Sequence, residues 1–378
     1  MKILKWGIYL IIFCLPLYLI RLKVLGIPTT VLELMIYGLF ALWLVNKGYK
    51  DIWTALKHEG LLVWGIVFLM VGVSMATIFS WDLRVSAGIW KSWFIDALIF
   101  FFVVVSIIKK DDIKNIFRAL IYSGLAVSII SLVYLIQGNF NYQGRLQGIY
   151  NSPNFLAMYL APILIILVAN IYSRINIRLI LFLVFLILAV TLFFTKSFGV
   201  LLGILAALVF GLAIHLYQKK KIKLALGIIF LAFAIIFIFG LVKIESLEGL
   251  KSFDARFVIW QTAWESFEDN PITGIGPGTF EDYFPPYPKW GVPQPHNVFL
   301  AFLLQTGIVG FVGFILILIW FFRPRADQPR AGRWQLLLMM IMIYILAHGL
   351  VDTTYWKNDL SLVFWVIIGV MVIIKKES

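Results

Sequence analysis

Along its length the chain alternates long apolar runs with short polar breaks. Runs long enough to cross a bilayer as helices fall at about 3–20, 25–45, 61–80, 92–108, 115–136, 154–173, 177–195, 198–217, 222–243, 298–322, 335–351 and 359–374. The narrowest break is Thr195-Lys196-Ser197. Joined across it, 177–217 would be far too long for one span even when tilted, so the pattern is read as two helices. Residues 244–297 form the one long polar stretch. The pattern predicts an all-α integral membrane fold. About twelve transmembrane helices make one polytopic domain over residues 1–378, and 244–297 is a long loop within it.

The loop has its own periodicity. Phe257, Trp260, Trp264 and Phe267 recur at spacings of three and four, which is one apolar stripe of an amphipathic helix. Asp254 is the expected N-cap, and Asn270-Pro271 the expected stop. An aromatic face of this kind suits either the lipid headgroup region or packing on the helix bundle. Gly274-Ile275-Gly276-Pro277-Gly278 has neither a strand before it nor a helix after it, so it reads as a tight turn and not as a phosphate loop. From Tyr283 to Pro295 the repeated prolines predict a stiff, extended segment. Its rings Tyr283, Phe284, Tyr287 and Trp290 suit stacking on sugar faces or packing on the bundle.

Composition agrees with lipid as the main solvent. The 378 residues are 62% hydrophobic and 13% charged, against roughly 25% charged in soluble domains. With the length taken up by spans, no room remains for a soluble catalytic domain, and chemistry must sit in the helices and their loops. The net charge of +13 raises nucleic acid as a partner. However, the basic residues are scattered at helix ends, so their reading is topological and no nucleic acid is expected. The side holding both termini carries Lys219-Lys220-Lys221-Lys223 and the Arg323/Arg325/Arg330/Arg333 group. Over the short connections that side has about threefold more Lys and Arg than the other, which predicts cytoplasmic termini. Arg145, the loop 244–297 and Asp352 then lie at the extracytoplasmic face. Cys14 is the single cysteine, so no intrachain disulfide can form. Lys2 and Lys5 followed by an apolar run read as the start of a retained first helix. No internal repeat stands out, which disfavours an inverted-repeat transporter.

Candidate chemistry gathers at that outer face. His296 precedes Asn297, the expected N-cap of the next membrane helix. A helix N-terminus favours neutral imidazole, the form that a general base needs. A hydrogen-bonding anchor is the competing role for His296. His348 and Asp352, at i and i+4, are expected on one face near the outer end of a helix, as a functional pair or a structural one. Arg256 sits in the first turn expected for the loop helix, and Arg145 lies in a short outer loop before the turn and cap Asn151-Ser152-Pro153-Asn154. A zinc site from His296, His348 and Asp352 lacks a close-spaced ligand pair, so no metal is assigned.

His296-Asn297, nine residues, then Gly307-Ile308-Val309-Gly310 resembles the HNx₉GxxG signature of the O-antigen ligase and O-antigen polymerase superfamily, which also includes bacterial O-linked oligosaccharyltransferases. Arg145 with Asn151-Ser152-Pro153-Asn154 also fits. So do Arg256 ahead of Pro271-Ile272-Thr273-Gly274-Ile275-Gly276, and His348-Gly349-Leu350-Val351-Asp352. The resemblance spans roughly 140–370, with Trp260 where ligases often carry Leu after the loop arginine.

The resemblance implies a glycosyltransferase of the bacterial cytoplasmic (inner) membrane, serving polysaccharide or lipopolysaccharide biosynthesis. The donor would be an undecaprenyl-diphosphate-linked glycan, and the acceptor a hydroxyl on a glycolipid or growing polysaccharide. No cofactor would be needed. His296 would act as base and Asp352 would orient it or the acceptor. Arg145 and Arg256 would grip the diphosphate, because guanidinium stays charged and binds phosphate oxygens in bidentate fashion. Asn297 and His348 would support the acceptor or the structure. A transporter for lipid-linked glycans or small anions is the reading from another class. Against it, mid-span polar residues are sparse, Glu33 and Asp96 being the clearest.

Overall fold

In lipid every backbone N–H and C=O must be paired within the chain, and this chain does so almost entirely with helices. The computed structural model describes residues 1–141, 143–171, 175–224, 226–229, 247–283, 294–324 and 332–376. The helices in order are α1 (Lys2–Phe13), α2 (Val31–Val45), α3 (Lys50–Leu56), α4 (Gly60–Ile78), α5 (Leu83–Ile89), α6 (Asp96–Ile107), α7 (Ile113–Ile136) and α8 (Pro153–Ile171). There follow α9 (Ile175–Thr195), α10 (Phe198–Gln218), α11 (Leu247–Asp269), the single turn α12 (Phe280–Tyr283), α13 (Val298–Phe322), α14 (Arg333–His348) and α15 (Asn358–Lys376). A π-helical stretch, Trp90–Ile95, joins α5 to α6.

Among the described residues, six helical segments are long and apolar enough to cross a membrane: Gly60–Ile78, Leu83–Ile107, Lys110–Ile136, Phe198–Gln218, Val298–Phe322 and Asn358–Lys376. Helices α2 and α3, bent by 99° at a short break, add a seventh if they form one broken span. Pro153–Ala169, Leu179–Thr195 and Arg333–His348 are apolar but shorter. The expected span 222–243 falls largely outside the described residues. The split at Lys196 is present: α9 ends at Thr195, Lys196 adopts φ +49°, and α10 starts at Phe198.

Two expectations need correction. The run 25–45 is not helical from its start, because Arg21–Val24 and Ile27–Thr30 pair as an antiparallel hairpin, β1 and β2, with Arg21 opposite Thr30. Leu25 and Gly26, both at positive φ, make the two-residue turn that such a hairpin needs. Hydropathy does not register that turn. Helix α2 begins only at Val31, capped by Thr30 Oγ1, which accepts from the Glu33 N–H at 3.2 Å. The fold is therefore mainly helical with a small hairpin. The loop helix, for its part, starts at Leu247 and not after Asp254. Asp254 thus lies within it, and Arg256 is well past the first turn, so no helix-dipole argument attaches to either. Its expected end before Asn270-Pro271 holds.

Packing sets the frame for the site. Over its apolar window α15 is 94% buried, so protein and not lipid surrounds it. Helices α4 and α13 approach closely at small residues: a Cβ on Gly72 would lie 2.1 Å from Gly310 N, and one on Gly313 2.2 Å from Leu69 N. That contact fixes α13, which carries His296 and Asn297 at its leading end.

Candidate functional site

Helix α13 is broken near its beginning. Gly307 has φ +65° and ψ 179° inside it, and a Cβ there would fall 2.0 Å from Ile272 O. The break receives the turn that follows α11. Ile308 N donates to Pro271 O at 2.9 Å, and Ile275 N donates to Leu304 O at 3.0 Å. Gly274, Gly276 and Gly278 all have positive φ, as a tight turn requires. The glycines after His296-Asn297 thus do two jobs: Gly307 docks the loop, and Gly310 docks α4.

The loop helix is held on the bundle by part of its stripe. Trp260 and Phe267 pack with Ile259, Ala263 and Leu304, whereas Phe257 and Trp264 remain exposed. Trp260 and Trp264 also line a groove of about 350 Å³ with Asn297, Leu300 and Phe311. Of the proline-rich stretch, 284–293 lies outside the described residues.

Asn297 caps α13 as expected, its Oδ1 accepting from Phe299 N at 3.0 Å and Leu300 N at 3.1 Å. Its Nδ2 donates to Leu350 O at 3.2 Å, and Val298 N donates to Gly349 O at 2.7 Å. These bonds stitch the segment after α14 to the start of α13. Thr354 Oγ1 donating to Ile345 O, and Trp356 buried against Trp93, Phe94 and Phe302, anchor the same segment below. Asp352 is therefore held by a rigid loop. The expected i, i+4 helical relation with His348 does not occur, because α14 ends at His348 and Asp352 stands in the turn beyond.

A row of polar side chains crosses this end of the bundle. His296 Nδ1 faces Asp352 Oδ1 at 3.3 Å, and Asn154 Nδ2 donates to Asp352 Oδ2 at 2.7 Å. Arg145 Nη2 donates to Asn154 Oδ1 at 2.5 Å, and its Nε to Thr195 O at 2.8 Å. Arg145, Asp352 and His296, more than two hundred residues apart at the extremes, thus form one hydrogen-bonded line through Asn154. A carboxylate only accepts, so in the neutral ring Nδ1 carries the proton and Nε2 keeps its lone pair. Nε2 has no partner among the described residues, and the His296 side chain is 36% exposed against 4% for Asp352. His296 also sits at φ +48°, a costly conformation for a residue with a Cβ. Burial works to raise the Asp352 pKa. The His296 hydrogen bond, the charges of His296 and His348, and the Thr353 N–H outweigh it and hold the carboxyl below its usual range.

The other two sites predicted from the sequence stand differently. His348 is buried: its Nδ1 lies 2.7 Å from Tyr344 Oη, and its ring is pressed against Gly199. It is a packed neighbour within electrostatic reach of Asp352 and Arg256. Arg256 is half-buried on α11, and that reach to His348 brings it toward the same end of the bundle. Two participants were not singled out from the sequence. Asn154 is read there only as part of a turn, and the Thr195 carbonyl only as a break between spans. The polar Asn so close to a helix start is the one signal that pointed toward the first.

No curated protein matches the sequence. Residues 183–315 match the family model described as O-antigen ligase. That segment runs from α9 into α13 and contains Thr195, Arg256, His296, Asn297, Gly307 and Gly310; Arg145 and Asn154 precede it, and Asp352 follows. Over that segment the chain is similar to the O-antigen ligase family, and six of its described helical segments are long and apolar enough to cross a membrane.

Proposed function

We propose that the protein transfers a glycan from an undecaprenyl-diphosphate carrier to an acceptor hydroxyl at the outer face of the bacterial cytoplasmic membrane. In this reading the chain crosses the membrane about twelve times with both termini inside, and 244–297 is its extracytoplasmic catalytic loop. The observation that carries the reading is the His296 ring, with Nδ1 on a buried carboxylate, Nε2 open, and a guanidinium three hydrogen bonds away. The acceptor hydroxyl gives its proton to His296 Nε2 as its oxygen bonds to the anomeric carbon. The bond from that carbon to the diphosphate oxygen breaks, and the electron pair leaves with the diphosphate. Arg145 and Arg256 take up the charge that develops there, and stabilisation of that kind often supplies the greatest share of an enzyme's rate enhancement. Asp352 steadies the imidazolium and fixes the tautomer. Ligase, polymerase and protein O-glycosylation share these steps and differ only in acceptor.

The test is transfer by purified protein in detergent, supplied with a lipid-linked glycan donor and an acceptor. Pure transport gives no product in that assay. His296→Ala should abolish transfer while the protein inserts and purifies normally, and wild-type transfer by that variant removes the base assignment.

A further inference from the structure

Lys357 lies in the loop that carries Asp352, and no step above uses it. Its Nζ stands 3.2 Å from the centroid of the Phe155 ring, the residue next to Asn154. The side chain is partly buried, and among the described residues no carboxylate oxygen is within salt-bridge distance of Nζ and no hydrogen-bond acceptor meets it. Two carboxylates are within electrostatic reach, those of Asp359 and Asp352. All four of their oxygens are engaged elsewhere. Asp352 Oδ1 meets His296 and Thr353 N, and its Oδ2 accepts from Asn154. Asp359 Oδ2 accepts from Tyr150 Oη at 3.0 Å and its Oδ1 from Leu360 N. Arg21, exposed on β1, adds a second cation within reach. Burial lowers the Lys357 pKa to about 8, which leaves the amine mostly charged at neutral pH.

An ammonium carries three donors, and a half-buried one without acceptors is costly. We propose that Lys357, with Arg21, forms a subsite for a singly charged acidic group on the acceptor, such as the carboxylate of a uronic acid or a phosphodiester. This deepens the proposed function and rests on it. The local charges argue for one negative charge and not several. Lys357 and Arg21 are already offset by Asp352 and Asp359, so a diphosphate brought here would be poorly compensated, whereas a lone carboxylate would gain the vacant donors. The cation–π contact with Phe155 holds the ammonium beside the Asn154–Asp352 pair, and so beside the acceptor's path to His296.

The experiment has a binding arm and a kinetic arm, both on full-length protein. In nanodiscs of phosphatidylcholine, acetylation of Lys357 by an activated ester is followed by peptide mass spectrometry while glucuronate, glucose or inorganic diphosphate is added. Glucuronate should slow acetylation about tenfold, the effect of one charge-assisted hydrogen bond, and glucose should not. That protection should persist in Arg145→Ala. Three results overturn the inference: no protection by glucuronate; protection by diphosphate alone that disappears in Arg145→Ala, which assigns Lys357 to the donor; or equal protection without additive in phosphatidylglycerol, which assigns it to lipid headgroups.

In transfer assays with octyl glucuronide and octyl glucoside as acceptors, Lys357→Met should raise KM about tenfold for the acidic acceptor only. Donor KM and kcat should stay unchanged, and Lys357→Arg should recover the acidic acceptor. Unchanged acceptor KM in Lys357→Met, with transfer lost in His296→Ala, sinks this inference and leaves the proposed function standing. Transfer retained in His296→Ala sinks the proposed function, and glucuronate protection then still decides whether the subsite exists.

Discussion

The two ends of α13 both carry polar side chains against helix termini, yet they are built differently. At the far end Lys375 Nζ donates to Trp320 O at 2.6 Å and Arg323 O at 3.3 Å, capping the last carbonyls of α13, and lies over the Trp320 ring. Trp320 Nε1 donates to Glu59 Oε2 at 2.6 Å, and a cavity of about 710 Å³ opens beside them. Each of these bonds closes a helix end or ties one helix to another. At the leading end the bonds run in a line from guanidinium to imidazole, stop at an open Nε2, and pass through a residue with φ +48°. Cavity size alone would favour the far end. Unspent hydrogen-bonding capacity combined with backbone strain favours the leading end, and those are the marks of a site built to meet something else. A capped helix end contributes to stability, whereas a residue with a Cβ held at positive φ costs stability.

That contrast can be broken by experiment. The largest effect belongs to His296→Ala: transfer should fall by about 10²–10⁴-fold, the usual worth of a general base, with membrane insertion retained. Arg145→Lys keeps the charge but loses the fork, and kcat should drop by about 10²-fold or more if the guanidinium meets developing charge. A drop confined to KM would assign Arg145 to ground-state binding. Asn154→Leu removes the bridge without touching either end of the row, and a fall of about tenfold in kcat is expected from the loosened Asp352 and Arg145. Wild-type kcat in that variant would show that the row is incidental.

Acid stability offers a smaller, signed effect. The Asp352 pKa is depressed in the folded protein, so its contribution to stability is complete above the unfolded carboxyl value of about 3.9 and is lost as pH falls below it. Melting temperatures between about pH 6 and 3 should therefore decline less steeply for Asp352→Asn than for the parent. Equal slopes would contradict the depressed pKa. The smallest effect on function belongs to the far end. Lys375→Met loses two hydrogen bonds to α13 carbonyls, about 1–3 kcal/mol, and should lower the melting temperature with transfer per folded molecule intact. A loss of transfer there without a loss of stability would erase the distinction between the two ends.

How much of this was legible beforehand follows from which interactions are local. The mainly helical character, the break at Lys196, the Asn297 cap and the end of α11 before Pro271 depend on residues within a few positions of one another, and the linear pattern carried them. Even locally, hydropathy missed the β1–β2 hairpin, because the Leu25-Gly26 turn is a matter of backbone conformation and not of apolar content. It also missed the start of α11, where the aromatic stripe begins later than the helix.

The sequence by itself determined that apolar helices of spanning length dominate, and which few cations, imidazoles and carboxylates were available. Only the tertiary structure decided which of them meet. Asn154 reaches Asp352 across 198 positions, Thr195 lends a carbonyl across 50, and His348 withdraws into packing against Gly199. Each of these depends on where two distant helices come to rest. That position is set by the sum of close contacts such as Gly72 on Gly310, which no period along a single strand of sequence encodes.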